Sequence, residues 1–330
     1  MTMFGTYKGR DVQRYTIENT RGTRLSVLNF GGIWQEFSVL DGGVRVNLLL
    51  ASDDFAGYTQ NPFYINRVIG RTAGRIDGGR VGDTQIPGNE GENVLHGGIN
   101  GLSEQFFDVT VDANKIQLTT QMTRAIDGFS GTLDVTVTYT LSDEDVVTIS
   151  FTGKQSEADG VFNPTSHVYF NLGDTADVTA HDLWVSSTQH LAVHADKIPT
   201  GEFVANAGSA FDLQKQPNLG GALAELADTA EGGFDDIFVV TGPKIAVLRD
   251  RKSGRQITLE STRNGLVVFT GNSFTADMAL NHAAGHAWEA VALEAQTLPN
   301  SMNLPQFGDV TLRAGETVTH EIIYRYTKDD

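Results

Sequence analysis

Apolar and polar residues alternate most regularly in the middle of the chain. From Leu133 to Leu141 every second residue is apolar, and the residues between them are Asp or Thr. After the polar stretch 142–145 the alternation resumes from Val147 to Phe151. A period of two sends successive side chains to opposite faces of a strand, so the pattern predicts a β-hairpin with one buried and one wetter face.

Shorter apolar runs predict further strands on both sides of this hairpin. Helix-like periodicity is scarce, and the one helix that we predict lies at 221–228. The 36 glycines fit many strands joined by tight turns. We therefore predict an all-β protein, in which residues 1–330 form a single large antiparallel β-sandwich with few short helices. The other predicted strands are 16–27, 33–40, 44–50, 182–187, 237–240, 244–248, 256–260, 266–269, 291–293, 310–312 and 317–326.

The charge and composition of the chain argue against several classes of site and partner. The formal net charge is −17, which disfavours nucleic acid and anionic lipid, because both require clustered Lys and Arg. The absence of cysteine excludes disulfides, thiolate zinc sites and cysteine nucleophiles. The N-terminal residues have no apolar core of signal-peptide length, and no window approaches the ~20 apolar residues of a membrane span. We expect a cytoplasmic protein with no membrane partner.

A single carboxylate ends an apolar run in the last part of the chain. Residues 290–293 are apolar, Glu294 follows, and Pro299 then begins a polar segment that favours turns. A carboxylate at the end of a buried strand is costly unless it faces water, a partner or a substrate. Glu294 is therefore either a catalytic base or a carboxylate that neighbouring donors satisfy, and the run by itself leaves both interpretations open.

Four other polar residues stand beside glycines or apolar runs. Each has a structural explanation as well as a functional one: an ion pair for the arginine, a backbone hydrogen bond or a core position for the histidines, and a turn for the aspartate. Taken singly, none of them specifies a function. The four residues are Arg71, His96, His167 and Asp235.

The five candidates occur in a fixed order within short motifs. These motifs are Gly70-Arg71-Thr72-Ala73-Gly74-Arg75-Ile76, Leu95-His96-Gly97-Gly98, Thr165-Ser166-His167-Val168-Tyr169-Phe170-Asn171-Leu172, Gly233-Phe234-Asp235-Asp236 and Glu294-Ala295-Gln296. Taken together, they resemble the aldose 1-epimerase (galactose mutarotase) family. The resemblance covers nearly the whole chain, and the stretches 61–63, 127–131 and 269–272 also take part in it.

The resemblance implies a fold and a reaction. The family fold is a large antiparallel β-sandwich, the galactose mutarotase-like supersandwich, and its members interconvert the α and β anomers of free aldohexoses such as galactose or glucose. By this resemblance, Glu294 is the general base that takes the proton from the C1 hydroxyl, and His167 is the general acid that protonates the ring oxygen. Arg71, His96 and Asp235 are expected to hold the sugar hydroxyls.

The resemblance also sets expectations about the surroundings of this site. We expect Gln296 and the Pro299 turn to fix the loop that holds Glu294. The reaction needs no metal and no organic cofactor, because opening a cyclic hemiacetal requires only a base at one oxygen and an acid at the other. The expected partner is a small neutral sugar, and the expected state is a monomer or a homodimer.

Some positions depart from the usual family pattern. Gly74 and Ser166 stand where asparagine is common, and Asp236 stands where histidine is common. Phe106 and Phe107 lie in a region where tryptophan is frequent. These residues neighbour the expected site but do not supply its acid or base, so they bear on the preferred sugar and not on the reaction class.

The sequence leaves three other functions open. A maltose epimerase of the same family would use the same acid and base on the reducing end of a disaccharide. A glycoside hydrolase would pair two carboxylates across a glycosidic bond, for which Asp235 and Glu294 are available. A non-catalytic sugar-binding protein would keep the binding residues but tolerate the loss of Glu294 or His167.

Two histidines have the spacing of a metal pair on a helix. His282 and His286 are four residues apart, but no glutamate lies between them, and Gly285 disfavours a helix. We therefore predict a loop there and not a zinc site.

Overall fold

The computed structural model describes residues 1–282 and 284–329, and most of its regular structure is strand. The strands, numbered in chain order, are β1 (Thr2–Tyr7), β2 (Arg10–Glu18), β3 (Arg24–Leu28), β4 (Trp34–Asp41), β5 (Val44–Asn47), β6 (Val68–Ile69), β7 (Arg75–Ile76), β8 (Arg80–Val81), β9 (Thr84–Gln85), β10 (Val94–Leu95), β11 (Asp108–Asp112), β12 (Lys115–Met122), β13 (Thr132–Leu141), β14 (Val146–Ser156), β15 (Gly160–Val161), β16 (Thr165–Ser166), β17 (Tyr169–Phe170), β18 (His181–Val185), β19 (Ser187–Val193), β20 (Pro199–Ala205), β21 (Asp235–Val240), β22 (Lys244–Asp250), β23 (Arg255–Ser261), β24 (Gly265–Phe269), β25 (Val291–Gln296), β26 (Thr311–Leu312) and β27 (Thr317–Lys328).

Helices are few and short, as predicted. The longest, α3 (Leu219–Leu226), begins near the predicted position, where the side chain of Asn218 accepts a hydrogen bond from the backbone N–H of Gly221 and caps the helix. None of the helices in the described residues is long and apolar enough to cross a membrane. The α-helices are α1 (Ala56–Thr59), α2 (Arg124–Asp127) and α3 (Leu219–Leu226), and the 3₁₀ helices are Asp77–Gly79, Leu102–Glu104 and Pro305–Phe307.

The predicted central hairpin is confirmed as β13 and β14. Tyr139 lies opposite Ile149, and Val137 lies opposite Phe151, so the apolar residues of both strands share one face. The hairpin forms the middle of an eight-stranded antiparallel sheet in the order β11-β12-β13-β14-β27-β23-β22-β18. That apolar face is buried against the rest of the protein, whereas the threonines on the other face are only half-buried.

A six-stranded antiparallel sheet in the order β17-β25-β24-β21-β19-β20 covers this apolar face. Leu293 of β25, Val268 of β24 and Phe238 of β21 belong to the same hydrophobic core as Val137 and Ile149 of the hairpin. The opposite face of the six-stranded sheet is therefore free to carry other side chains. This packing confirms the prediction of an antiparallel β-sandwich.

The N-terminal part forms a five-stranded antiparallel sheet in the order β1-β2-β3-β4-β5 and corrects the sequence prediction. The strand predicted at 16–27 is two strands, because the side chain of Asn19 accepts hydrogen bonds from the backbone N–H groups of Arg21 and Thr23 and closes a turn. The prediction also missed the longer strands β1, β11, β12, β19 and β20 and the two-residue strands β6–β10 and β15–β17. The edge strands β11 and β20 are exposed on most positions and so carry no clear apolar alternation.

Candidate active site

An open cleft of about 510 Å³ lies against the outer face of the six-stranded sheet. This volume falls within the roughly 300–1,000 Å³ of small-molecule sites in proteins. The cleft wall combines aromatic residues with several acids, histidines and cations. Such a mixture suits a ligand that has both apolar faces and hydroxyl groups.

The floor of the cleft follows from the period of two in the strands. Glu294 pairs with Val267, and Val267 pairs with Ile237, so these three residues form one row across the sheet. In the next row on the same face, Phe269 pairs with Asp235. Residues on these two rows share a face of the sheet, whereas Leu293 and Ala295, the neighbours of Glu294, point into the core. The floor residues are Tyr169, Asp235, Ile237, Val267, Phe269 and Glu294.

The carboxylate of Glu294 is almost completely buried at this floor. Its side chain is only 2% exposed, and its Oε1 atom lies 3.3 Å from Nε2 of His167. The Oε2 atom has no hydrogen-bond partner within the described residues. Burial raises the pKa of Glu294 well above its usual range; the charge of Asp235 adds to this effect, and that of Arg75 opposes it.

His167 enters the cleft from the segment between β16 and β17. Its backbone N–H donates to the carbonyl of Arg67, and its ring stacks on Tyr169 with 5.1 Å between centroids. Burial lowers the pKa of His167 to about 3, which disfavours the charged imidazolium. Thus burial shifts the two members of the Glu294–His167 pair in opposite directions, and both shifts favour a neutral pair.

A glycine holds His96 beside this pair. The carbonyl of Gly74 accepts a hydrogen bond from the backbone N–H of His96 at 3.0 Å. The backbone N–H of Gly74 donates a second hydrogen bond to Nδ1 of the His96 ring at 3.2 Å. Because Nδ1 is an acceptor, the proton of the neutral ring is assigned to Nε2. The ring lies 5.2 Å from that of His167, between centroids, and 4.9 Å from that of Tyr64.

Asp235 closes the other side of the floor. Its side chain is 26% exposed and lies 3.6 Å from the ammonium group of Lys197. Its backbone N–H donates to Oδ2 of Asp236 at 3.0 Å. Burial raises the pKa of Asp236 to about 6. Asp235, His96, His167 and Glu294 all line the same cleft, as their joint role in the sequence prediction requires.

Comparison with known proteins identifies the chain at the level of the family. The family model described as aldose 1-epimerase matches residues 13–325. The chain belongs to the aldose 1-epimerase family. This confirms the family, the isomerase class and the fold expected from the motifs.

Relatives of the chain share its full length. A maltose epimerase of Levilactobacillus brevis is 40% identical, and the match covers 98% of this chain and 97% of that protein. An aldose 1-epimerase of Streptococcus thermophilus is 35% identical over 98% of this chain and 97% of that protein. The crystal structure of a galactose 1-epimerase from Lactobacillus acidophilus NCFM superimposes with a TM-score of 0.86 at 25% identity, covering 100% of this chain and 98% of that chain.

The position of Arg71 corrects the expectation that this arginine holds sugar hydroxyls in the epimerase site. Its side chain is fully buried and does not line the cleft. Its guanidinium forms two hydrogen bonds with Asp127, of 2.7 and 3.1 Å, and donates further to the backbone carbonyls of Met122, Ser130 and Gly131. These five hydrogen bonds all go to residues 122–131 around α2, and none of them points into the cleft.

Arg75 is the arginine of this motif that reaches the cleft, although the resemblance had pointed to Arg71. Its side chain lines the cleft, is 20% exposed and forms a two-point ion pair with Glu90, including a 2.8 Å bond from Nη2 to Oε1. It stands four residues after Arg71 in the same motif. The motif therefore contained the signal, but only the packing distinguishes the two arginines.

Gln296 and Pro299 border the glycine that holds His96. Gln296 is buried on β25 and does not line the cleft, and its amide atoms have no hydrogen-bond partner in the described part of the chain. A Cβ atom added to Gly74 would lie 2.5 Å from Cβ of Pro299 and 3.8 Å from Nε2 of Gln296. Glycine at position 74, with φ of +71°, thus allows the turn after Glu294 to pack closely there.

Other departures from the family pattern lie away from the cleft. Ser166 is buried on β16, Phe107 belongs to the central core, and Phe106 packs on Phe30. Asp236 follows a cleft residue but does not line the cleft itself. None of these four side chains lines the cleft.

Three side chains of the cleft lie close enough together to be considered as metal ligands. They are His96, His167 and Glu294. Their possible ligand atoms lie within 4.8 Å of one another. Nδ1 of His96 is occupied by the Gly74 N–H, so its Nε2 carries the proton and is a donor, which suits a hydroxyl oxygen better than a cation. His282 and His286 lie outside any helix among the described residues, as predicted.

Proposed function

We propose that this chain interconverts the α and β anomers of a free aldose by opening and reclosing its ring at the Glu294–His167 pair. One observation carries the proposal: a buried carboxylate and a buried imidazole lie 3.3 Å apart at the floor of a cleft suited to a small polyhydroxylated ligand. The membership of the aldose 1-epimerase family supports the same reaction.

The reaction needs two coordinated proton transfers. Opening the ring removes a proton from the C1 hydroxyl and adds one to the ring oxygen. Glu294 is the base at the hydroxyl, and His167 is the acid at the ring oxygen. A base and an acid acting together avoid full charge on either oxygen, and each contributes about 10²–10⁴ in rate. Rotation about C1–C2 exposes the other carbonyl face, and reclosure reverses both transfers.

The pair carries one proton through this cycle. With the proton on Glu294 both groups are neutral, which is the form that burial favours. With the proton on His167, Glu294 is an ionised base and His167 is a charged acid, which is the form that opens the ring. The 3.3 Å contact between Nε2 and Oε1 is the route by which the proton passes from one form to the other. The two titration steps therefore belong to the pair and not to either residue.

Other cleft residues hold the sugar. Arg75 and the Nε2–H of His96 donate to hydroxyl oxygens, and Asp235 accepts from hydroxyl groups. Phe63 and Phe269 stack with 6.2 Å between ring centroids and line the cleft, where they cover the apolar face of a sugar ring. Arg75 thus takes the sugar-holding role that was expected of Arg71.

A disaccharide with a free reducing end, such as maltose, is a second candidate substrate. The cleft wall carries polar side chains beyond those assigned to one ring, among them Lys197, Glu231 and Asn272. The name of the 40% identical relative, maltose epimerase, points the same way. The acid and base are the same for both substrates, and only the second ring requires the extra space.

Anomer exchange with a panel of sugars tests the proposal. Freshly dissolved α-glucose, α-galactose and α-maltose are followed by polarimetry or NMR with and without the protein. We expect faster mutarotation of at least one sugar, and no release of reducing sugar from methyl glycosides. Release from glycosides would support a hydrolase, and sugar binding without exchange would support a binding protein.

We further propose that residues 1–330 form one catalytic domain that acts in the cytoplasm as a monomer or homodimer. The span of the family model over residues 13–325 supports a single catalytic unit. The net charge of −17 is compatible with a small neutral sugar as the partner and unfavourable to polyanions.

A further inference from the structure

A lysine with an unusual backbone conformation reaches into the cleft. Lys197 lies in the turn between β19 and β20, with φ of +66°, in the left-handed region that residues other than glycine rarely adopt. The turn is closed by hydrogen bonds between the backbones of His194, Lys197 and Ile198. A second contact, from Asn93 to Asp196 at 3.0 Å, ties it to the segment before β10. The turn therefore holds Lys197 in place.

The ammonium group of Lys197 joins the carboxylate of Asp235 on the cleft floor to that of Glu231 on the wall. Its Nζ atom lies 2.8 Å from Oε1 of Glu231 and 3.6 Å from Oδ2 of Asp235. The lysine side chain is only 17% exposed, whereas Glu231 is 41% exposed and faces solvent. An exposed ion pair would contribute little to stability, so stability alone gives no reason for a lysine in a left-handed turn at this position.

Charged residues on β21, on the loop before it and on β7 lie near Glu294. Lys197 is the cation that contacts the acidic residues among them. Asp235 on β21 lies in front of Glu294, with Asp236 beside it and Glu231 in the preceding loop. Arg75 on β7 also interacts electrostatically with Glu294, and the other titratable groups around it are His96, His167, Tyr169 and Tyr324. Without Lys197 the acidic side would have no cation in contact with Asp235 among the described residues.

We propose that Lys197 is a positioning residue of the epimerase reaction, which holds the Asp235 carboxylate at the cleft floor and offsets its negative charge in front of the Glu294–His167 pair. This inference rests on the proposed function. Lys197 acts in two ways: it keeps Asp235 oriented towards the sugar hydroxyls, and it makes the region around Glu294 less negative.

Both actions give measurable consequences. A freely rotating Asp235 binds hydroxyls less well, so Lys197→Met should raise KM roughly tenfold, which corresponds to the loss of one oriented charged hydrogen bond. Removal of a cation makes the pair hold its protons more tightly, so both limbs of the kcat/KM profile should move to higher pH, by roughly 0.5 unit for a partly screened charge. A purely structural role for the turn would not displace the pH profile.

The test compares the pH profile of anomer exchange in the wild type and four variants. Lys197→Met and Lys197→Gln both remove the charge, so one of them suffices if the other does not fold. Lys197→Arg keeps the charge and should leave the profile within about 0.2 unit of the wild type. Lys215→Met is the matched control, because Lys215 is an exposed lysine outside the cleft and its loss changes the net charge equally.

The outcomes separate this inference from the proposed function. An upward displacement of both limbs in Lys197→Met or Lys197→Gln, absent in Lys197→Arg and Lys215→Met, supports the role of Lys197. An undisplaced profile together with KM within twofold of the wild type overturns it, while the anomer exchange of the wild type leaves the proposed function intact. A wild type that exchanges no sugar overturns the proposed function and this inference with it.

Discussion

The side chains of Glu294 and His167 meet at the cleft floor, where burial acts on their protonation in opposite directions. Burial raises the pKa of the carboxyl well above its usual range and lowers that of the imidazole to about 3. An isolated group with such a shift would be a poor acid or base near neutral pH. In the proposed reaction the two groups, 3.3 Å apart, pass one proton between them, so their titration belongs to the pair and not to either group.

Replacement of Glu294 by glutamine tests the base. We expect Glu294→Gln to lower kcat for anomer exchange by about 10²–10⁴, because glutamine cannot accept the C1 proton. Sugar binding, measured by calorimetry, should persist because the cleft keeps its shape. Glu321→Gln on β27 is the control, since Glu321 lies outside the cleft. Exchange at the unmutated rate in Glu294→Gln would show that another group is the base.

Replacing Arg71 should lower stability, whereas replacing Arg75 in the same motif should weaken sugar binding. Arg71→Met leaves Asp127 buried without its partner, so the free energy of unfolding should fall by about 3–5 kcal/mol. Arg75→Met should leave stability nearly unchanged and raise KM, because Arg75 lines the cleft. Urea unfolding and steady-state kinetics on both variants separate these effects. Unchanged stability in Arg71→Met would contradict the structural role of its ion pair.

At the scale of single elements, β25 explains how one strand serves both the core and the site. All six of its residues are buried. Leu293 and Ala295 pack into the core between the sheets, while Glu294 points to the cleft. A strand buried on both faces is rich in apolar residues, so a single carboxylate within it marks the side that holds the ligand.

The loop that carries His96 depends on the close approach of two glycines. A Cβ atom added to Gly97 would lie 2.0 Å from the carbonyl oxygen of Gly70, and the φ of Gly97 is +84°. Gly43 has the same φ and no atom within 4 Å of such a Cβ. It therefore provides a control that isolates the backbone cost.

We expect Gly43→Ala to cost on the order of 1 kcal/mol, from its left-handed backbone alone. Gly97→Ala should cost clearly more, because the loop must move away from Gly70, and it should lower anomer exchange by displacing His96. Urea unfolding and NMR exchange measure the two effects. Equal stability of the two variants would mean that the loop adapts without strain.

At the scale of the whole molecule, buried histidines make stability depend on pH. His181 is fully buried and accepts a hydrogen bond from the backbone N–H of Leu172 at 3.0 Å. Burial lowers its pKa to about 4, below the value of 6.5 for a free side chain. Between these values the unfolded chain binds the proton and the folded chain does not, so this contribution to stability is complete above pH 6.5 and is lost towards pH 4.

A comparison of the wild type with a variant that does not titrate at position 181 measures this contribution. Glutamine at position 181 can accept the Leu172 hydrogen bond but does not titrate. Between pH 7 and 4 the free energy of unfolding should fall by roughly 2–3 kcal/mol more in the wild type than in His181→Gln. If the free energy of unfolding varied with pH equally in the two proteins, the pKa of His181 would be the same in the folded and unfolded chain, and the predicted lowering would be wrong.

Much of the fold was predictable because its signals are local. The alternation from Leu133 to Phe151 reports directly which face is buried, and the central hairpin follows from it. Of the longer strands that were missed, β1, β11 and β20 are exposed sheet edges, where tertiary hydrogen bonding and not apolar patterning makes the strand. The predicted strand at 16–27 failed because Asn19 closes a turn through side-chain hydrogen bonds.

Residue type and order along the chain were sufficient to predict the family, the antiparallel β-sandwich and four cleft residues: His96, His167, Asp235 and Glu294. Only the tertiary structure decided between Arg71 and Arg75, because two arginines in one motif look alike until burial and donor geometry are known. It also brought Lys197, which no motif contains, against Asp235. Motifs record which side chains are present, whereas long-range packing decides which of them share a cavity.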